Sequence, residues 1–272
     1  MPSFASIAPE KLARLIGTAR APIIIDVRED EAMRADPRLI PTSVPLPYAT
    51  AADWASAYRG KTVAVSCQRG AKLAEGAAAW LRHYGADAEV VEGGFVGWRD
   101  AGLPLVPLAK IPPRNAAGST VWVTRSRPKI DRIACPWLIR RFVDPEAVFL
   151  FVAPSEVSAV AERFGATPFD IEGVFWSHRG ELCTLDVMLE EFGLNSEPLQ
   201  RLALIVRGAD TNRPELAPEA AGLLAMSLGL SRMFADDLAQ LEAGILLYDA
   251  LYRWCRDATG ETHDWTGSKE GK

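Results

Sequence analysis

The 272-residue sequence predicts an α/β protein in two parts, a parallel sheet with flanking helices followed by a second, mainly helical α+β domain. Three observations carry that prediction. Short β-branched runs alternate with helix-period segments in the first part, the pattern of strand–helix–strand units. The segment PLVPLAKIPPRNAAG at 104–118, with four prolines, interrupts every periodicity and marks a boundary. From residue 185 onward apolar residues recur at helical spacing. The length also exceeds what one small core usually organises, so two domains are expected.

In order along the chain, residues 7–20 predict an amphipathic helix with Pro9 near its start and Leu12, Leu15 and Ile16 on one face. Residues 22–26 read as a fully buried strand, 28–50 as a proline-rich irregular stretch and 51–58 as a short helix. The run KTVAVS at 61–66 is a strand by its β-branched content, and Leu73, Ala77, Trp80, Leu81 and Tyr84 then recur at helical spacing until Gly85 ends the pattern. A short strand is expected at 89–92. After the boundary, strands are expected at 121–124, 147–152 and 174–177, and helices at 185–192, 198–209, 218–228 and 233–256. This divides the chain into 1–106, a linker at 107–118, a second domain at 119–257 and a polar, frayed tail at 258–272.

Composition narrows the function classes. Residues are 49% hydrophobic and the net charge is −5, which suits a globular protein and argues against a surface built wholly to hold nucleic acid, so DNA is not an expected partner. No secretory leader and no membrane span is expected. Cys67, Cys135, Cys183 and Cys255 are widely spaced with no C-x-x-C pair, which predicts free thiols in a reducing cytoplasm. No flavin or nicotinamide fingerprint is present.

The sharpest local signal is VSCQRGAKLAEG at 65–76, which places Cys67 between a strand's carboxyl end and a helix's amino end. Unpartnered N–H groups and the dipole of the first helical turn stabilise a thiolate there. Arg69 and Lys72 add positive charge, so the thiol is expected below its free pKa near ~8.5, and the loop could hold an anionic substrate. Asp26 and Arg28 are as well explained by a strand-end ion pair as by a site role, Gly93 and Gly94 by a backbone turn, and His83 by a solvated helix position.

Three stretches, IIIDVRE at 23–29, VAVSCQRGAK at 63–72 and VVEGGFVGWRDAGLPLV at 90–106, resemble a rhodanese-like domain over the first 106 residues. That resemblance implies a rhodanese-like parallel sheet and a sulfurtransferase. Cys67 would attack sulfane sulfur, carry it as a persulfide and pass it to a thiol, so the implied partners are a sulfane-sulfur donor and a thiol acceptor. The cradle for the anion would be the N–H groups of Gln68, Arg69, Gly70, Ala71, Lys72 and Leu73. Gln68 stands where thiosulfate-using members usually carry a basic residue, and Lys72 where arginine is common. A lysine is a point charge without arginine's two-pronged fork, so thiosulfate is a less secure donor. Leu73 takes the place of the arginine that tyrosine-phosphatase relatives need.

WVTRSRPKIDRIACPWLIRRFVDPEAVFLFV from 122, GATPFDIEGVFWSHRGELCTLD from 165, LALIVRGAD from 202 and YDALYRWC from 248 resemble the C-terminal domain of ChrB-type chromate-resistance proteins. Many members of that family carry an amino-terminal DNA-binding segment and regulate transcription in response to chromate; here a rhodanese-like segment takes that place. Arg125, Arg127, Lys129, Arg132, Arg140 and Arg141 concentrate cations that could receive chromate or sulfate, the alternative being a helix whose arginines are solvated or paired with Asp131, Asp144 and Glu146. His178, Asp186 and Asp210, with Asp131 as a fourth, are candidate ligands for iron, manganese or zinc, the alternative being charge pairing through Arg207 or Arg132. Cys135 and Cys183 read as core residues before they read as second thiols. The functional expectation is a Cys67 persulfide sulfurtransferase associated with chromate resistance, against an oxyanion sensor or binding protein without turnover.

Overall fold

A computed structural model describes residues 5–262. The elements run β1 (Ser6–Ile7), α1 (Pro9–Leu15), β2 (Ile23–Asp26), α2 (Asp30–Ala35), β3 (Arg38–Leu39), β4 (Val44–Pro45), α3 (Ala51–Trp54), β5 (Thr62–Ser66), α4 (Lys72–His83), β6 (Asp87–Val91), α5 (Gly94–Asp100) and β7 (Val106–Pro107). They continue with β8 (Val121–Arg125), α6 (Asp131–Phe142), β9 (Val148–Val152), α7 (Val157–Phe164), β10 (Thr167–Pro168), α8 (Thr184–Glu191), α9 (Glu197–Asp210), α10 (Ala220–Met233) and α11 (Asp237–Asp257). Of the expected tail, residues 263–272 lie outside the described residues.

The first half is a five-stranded sheet in the order β1-β6-β5-β2-β4, parallel at every pairing, with helices packed against it. Strand β5 takes the middle position because Val63, Ala64 and Val65 are apolar on both faces, as a doubly covered strand requires. The loop after its carboxyl end therefore emerges at the centre of the sheet edge, where open α/β sheets place their sites. The second half has a parallel three-stranded sheet, β10-β8-β9, and a helical layer in which α6, α8, α9 and α11 pack on one another.

Several elements depart from the periodicity reading. The segment expected to be one helix at 7–20 is β1 followed by the shorter α1, since Ile7 pairs beside Val91 in the sheet and Gly17 breaks the helix with φ +80°. The stretch 28–50, expected to be irregular, contains α2 and two short strands. The strand expected at 174–177 does not form: Phe169 and Trp176 share a single bridge, Trp176 stacks on Phe192 at 4.8 Å, and β10 supplies the third strand instead. Helix α6 gave no amphipathic signal because nine of its twelve residues are buried and Pro136 lies inside it.

The two halves share one hydrophobic core. Leu12, Ile16 and Trp98 from the first belong to the same buried cluster as Trp137, Phe142 and Tyr252 from the second. Gly17 sits where a Cβ would meet Phe142 at 2.5 Å and Tyr252 at 2.8 Å, so this close approach of α1's exit to α6 and α11 requires glycine. The expected linker is anchored at its start by the antiparallel β3–β7 pair and the Lys110–Glu191 ion pair at 2.5 Å, and further along by the Arg114–Asp144 ion pair at 3.0 Å.

Candidate functional site

Cys67 follows β5 directly and is 4% exposed. Its Sγ accepts a hydrogen bond from the Ala71 N–H at 3.3 Å, so the loop curls around the sulfur before α4 begins. No side chain caps α4, which leaves the N–H groups of its first turn directed at the loop. The curl is clamped from below by α5: Phe95 N–H donates to the Cys67 carbonyl at 2.8 Å and Val96 N–H to the Gln68 carbonyl at 3.1 Å. A Cβ on Gly94 would lie 2.2 Å from the Cys67 carbonyl oxygen, and one on Gly70 would lie 2.4 Å from the Val91 carbonyl oxygen. The paired glycines thus let two backbones touch, and α5 spends its first N–H groups on the loop. Arg69 and Lys72 are exposed.

Beneath the loop, Arg28 donates to both oxygens of Asp26, at 2.8 and 3.1 Å, and its guanidinium lies 3.7 Å from the centre of the Phe95 ring. Arg28 also reaches the carbonyls of Asp36 and Arg38, at 3.1 and 2.7 Å. The pair is wholly interior, and burial outweighs the arginine's pull, raising the Asp26 carboxyl above its ordinary value. It ties the segment before β3 to the sheet. His83 is an exposed ring beside Trp80 and Tyr84.

A second group of reactive side chains assembles in the other half. Asp131 is the first residue of α6, Asp170 follows β10 with φ 52°, His178 lies in the loop before α8, and Asp210 ends α9. The Nε2 of His178 is 3.2 Å from Asp210 Oδ2, 3.5 Å from Asp170 Oδ1 and 3.6 Å from Asp131 Oδ2. Asp131 is fully buried; its Oδ2 accepts the Thr184 N–H at 2.5 Å and its Oδ1 has no hydrogen-bond partner among the described residues. Burial and then the neighbouring Asp210 and Asp170 push the Asp131 carboxyl well above the usual range. Hydrogen bonds to Asp170 and Asp210 raise His178 to about 10. Arg132 Nε lies 3.2 Å from the outer oxygen of Asp170, and the more exposed Arg125 lies 3.5 Å from it.

A family model for the rhodanese-like domain matches residues 8–101, and a model for the ChrB C-terminal domain matches residues 122–255. The chain is a rhodanese-like domain followed by a ChrB C-terminal domain. Protein ChrB of Cupriavidus metallidurans is 35% identical over 132 residues, 48% of this chain and 39% of that protein, so the chain spans well under half of its relative's length. Among solved structures, a rhodanese-related protein from Thermoplasma volcanium is 28% identical over 38% of this chain and 98% of its own, with a TM-score of 0.33. A rhodanese-like domain protein from Staphylococcus aureus is 26% identical over 35% and 91%, with a TM-score of 0.32.

Within the rhodanese-like domain the residues singled out from the sequence, Cys67 and the run from Gln68 to Leu73, form one continuous loop and helix start. In the ChrB C-terminal domain the expected quartet is rearranged. His178, Asp131 and Asp210 come together, but Asp186 does not join them: Arg207 grips it with two bonds of 2.9 Å, and from the first turn of α8 it accepts the N–H of the capping residue Cys183 at 3.0 Å. Its place is taken by Asp170, which sequence reading passed over; the signal was a lone carboxylate directly after the apolar end of a strand in TPFD. Asp210 ends α9 one turn after Arg207, so the two expected outcomes, charge pairing and clustering, each hold for part of the set.

The cations also separate. Arg125 and Arg132 face Asp170, Arg140 pairs with Glu242 at 2.6 Å, and Arg141 pairs with Asp249 at 2.7 Å. Arg127 binds the carbonyls of Ser231 and Phe234 and, with the exposed Lys129 and with Arg232, lines a shallow depression beside α10. The pairing partners are therefore not the Asp131, Asp144 and Glu146 proposed from sequence proximity; Asp144 pairs with Arg114 at 3.0 Å. Cys135 and Cys183 are buried, and burial drives both thiols well above their ordinary range, which leaves them as core residues. Among the described residues, no helix is long and apolar enough to cross a membrane.

Proposed function

We propose that the protein is a persulfide-forming sulfurtransferase acting in chromate resistance. The observation that carries this reading is the seat of Cys67: its sulfur lies inside a curl of backbone, 3.3 Å from the Ala71 N–H, at the amino end of the uncapped α4. In the first step the Cys67 thiolate attacks the sulfane sulfur of a donor such as thiosulfate. The S–S bond of the donor breaks, sulfite leaves with its electron pair, and the enzyme keeps the outer sulfur as Cys67–S–S⁻. In the second step an acceptor thiolate attacks that outer sulfur, which restores the Cys67 thiolate and gives a persulfide on the acceptor. The N–H groups from Gln68 to Leu73 hold the terminal negative charge in both states. With Cys67 only 4% exposed, the loop favours donors whose terminal sulfur is reached end-on.

Incubation with thiosulfate or a polysulfide followed by peptide mass spectrometry is expected to place one added sulfur on Cys67, and Cys67→Ser is expected to lose both the label and the turnover. Cells carrying Cys67→Ser are expected to lose the chromate tolerance that the wild-type chain confers. Label confined to Cys135, Cys183 or Cys255, or no label with any sulfane donor, rejects sulfur transfer and leaves oxyanion binding without turnover. Unchanged chromate tolerance in Cys67→Ser separates the chemistry from the stress role.

A further inference from the structure

We propose that the ChrB C-terminal domain binds a first-row divalent cation, Mn²⁺, Fe²⁺ or Zn²⁺, between Asp131, Asp170, His178 and Asp210. The first support is geometric. Three carboxylate oxygens, one from each aspartate, lie 3.2–3.6 Å from the same imidazole nitrogen. Ligands held about 2.1 Å from a tetrahedral ion are separated by about 3.4 Å, so each of the three carboxylate oxygens already stands at ligand spacing from the imidazole nitrogen. Atoms from Asp131, Asp170 and His178 also lie within 4.8 Å of one another.

The second support is independent of that clustering. Asp131 is completely buried, and among the described residues its Oδ1 has no donor within reach. A carboxylate removed from water with an unpartnered oxygen is among the costlier arrangements a fold can hold, and its usual resolution is a cation or a proton. The nearby cations do not supply it: Arg132 and Arg125 approach the outer oxygen of Asp170, and Arg207 is committed to Asp186. What remains beside Asp131 is the imidazole edge and the two other carboxylates.

The surrounding bonds orient the donors and leave each one capacity to spare. Thr184 fixes two of them, giving its N–H to Asp131 Oδ2 and its hydroxyl to Asp170 Oδ1 at 2.9 Å. Such outer partners are what hold metal ligands in place. An imidazole with carboxylates selects first-row metals over Mg²⁺ and Ca²⁺, which prefer oxygen alone. The site is walled by α6, α8 and α9 and open on the His178 side, whose side chain is 41% exposed. An ion there would be reached from solvent past the imidazole.

The competing arrangement is a metal-free network in which an imidazolium balances the carboxylates. The two differ under titration. Full-length protein stripped with chelator and titrated calorimetrically with MnCl₂ or ZnSO₄ is expected to take up about one equivalent with proton release, and MgCl₂ to bind at least about tenfold more weakly. Asp131→Asn and Asp170→Asn are expected to weaken uptake at least about tenfold, and His178→Ala, at an exposed position that tolerates truncation, to do the same. Asp186→Asn is expected to retain the equivalent of metal. Chelated Asp131→Asn is expected to melt no lower than chelated wild type, because the amide removes a buried charge. Absence of uptake by wild type, or equal uptake by wild type, Asp131→Asn and His178→Ala, overturns the proposal; loss in Asp186→Asn alone moves the site elsewhere. The outcome is independent of sulfur transfer, since Cys67→Ser is expected to bind metal as wild type does.

Discussion

The two halves hold their reactive groups by opposite means. In the rhodanese-like domain a single contiguous loop does the work: the backbone of residues 67–71 curls on itself, and the backbone of α5 braces it at 2.8 and 3.1 Å. In the ChrB C-terminal domain three carboxylates from separate segments meet around one imidazole nitrogen, Asp131 and Asp210 brought there by helix ends and Asp170 and His178 by the segment between β10 and α8. A site built from backbone is sensitive to the size of its glycines. A site built from side chains is sensitive to charge and tolerates isosteric change. Each half is therefore expected to fail at a different kind of substitution.

The largest expected effect tests two buried arginine–aspartate pairs against each other. Arg28 and Asp26 have side chains 0% and 2% exposed, whereas Arg207 and Asp186 are 23% and 7% exposed. Truncating one partner of a fully buried pair strands the other, at about 3–5 kcal/mol, so Arg28→Ala should lower the denaturant midpoint more than Arg207→Ala. Equal losses would mean that the two pairs differ only in appearance.

Next is Gly94→Ala, which drives a methyl group into the Cys67 carbonyl and carries a left-handed φ of +59°. It should cost about 2–3 kcal/mol and abolish sulfur loading. Gly60→Ala has a comparable φ of +72° but nothing within 4 Å, so it should cost about 1 kcal/mol and leave loading intact. If the two alanine variants behave alike, contact with the loop is not what Gly94 provides.

A smaller effect is expected at Lys72, which is exposed at the start of α4. Lys72→Ala should reduce turnover of an anionic donor by roughly tenfold or less and spare a neutral one, with the difference shrinking as salt rises. Equal losses at every ionic strength would exclude a point-charge role.

The smallest concerns the tie between the halves. Lys110 and Arg179 hold the Glu191 carboxylate below its ordinary value of 4.5. A depressed carboxylate contributes stability above its unfolded pKa and loses it as pH falls through the lower folded value. Glu191→Gln should therefore cost under about 1 kcal/mol at neutral pH and nothing once both forms are protonated, as comparative melting across that range would reveal. A penalty that grows on acidification would contradict the assignment.

Contiguous features were legible in the residues alone. The alternation of β-branched runs with helical spacing, the turn at Gly93 and Gly94, and Cys67 between β5 and α4 all depend on neighbours within a few residues, where periodicity and turn chemistry act, whereas the brace of α5 against the Cys67 loop joins segments more than twenty positions apart. Periodicity also placed the long helices of the second half, whose boundaries moved by only a few residues. The remainder was set by packing between distant segments. Helix α6 is buried on nearly every side and so shows no apolar stripe, and the residues around 174–177 pack through Trp176 instead of pairing as a strand. Asp131, Asp186 and Asp210 carry the same side chain at helix ends, and nothing local distinguishes them. Their roles diverge because Arg207 lies one turn before Asp210 on α9 and reaches Asp186, while the packing of α6 against α8 and α9 buries Asp131 beside Asp170 and His178. Carboxylate chemistry is set by what comes within a few ångströms in space, and for these residues that distance is settled by helix packing across tens of positions of sequence.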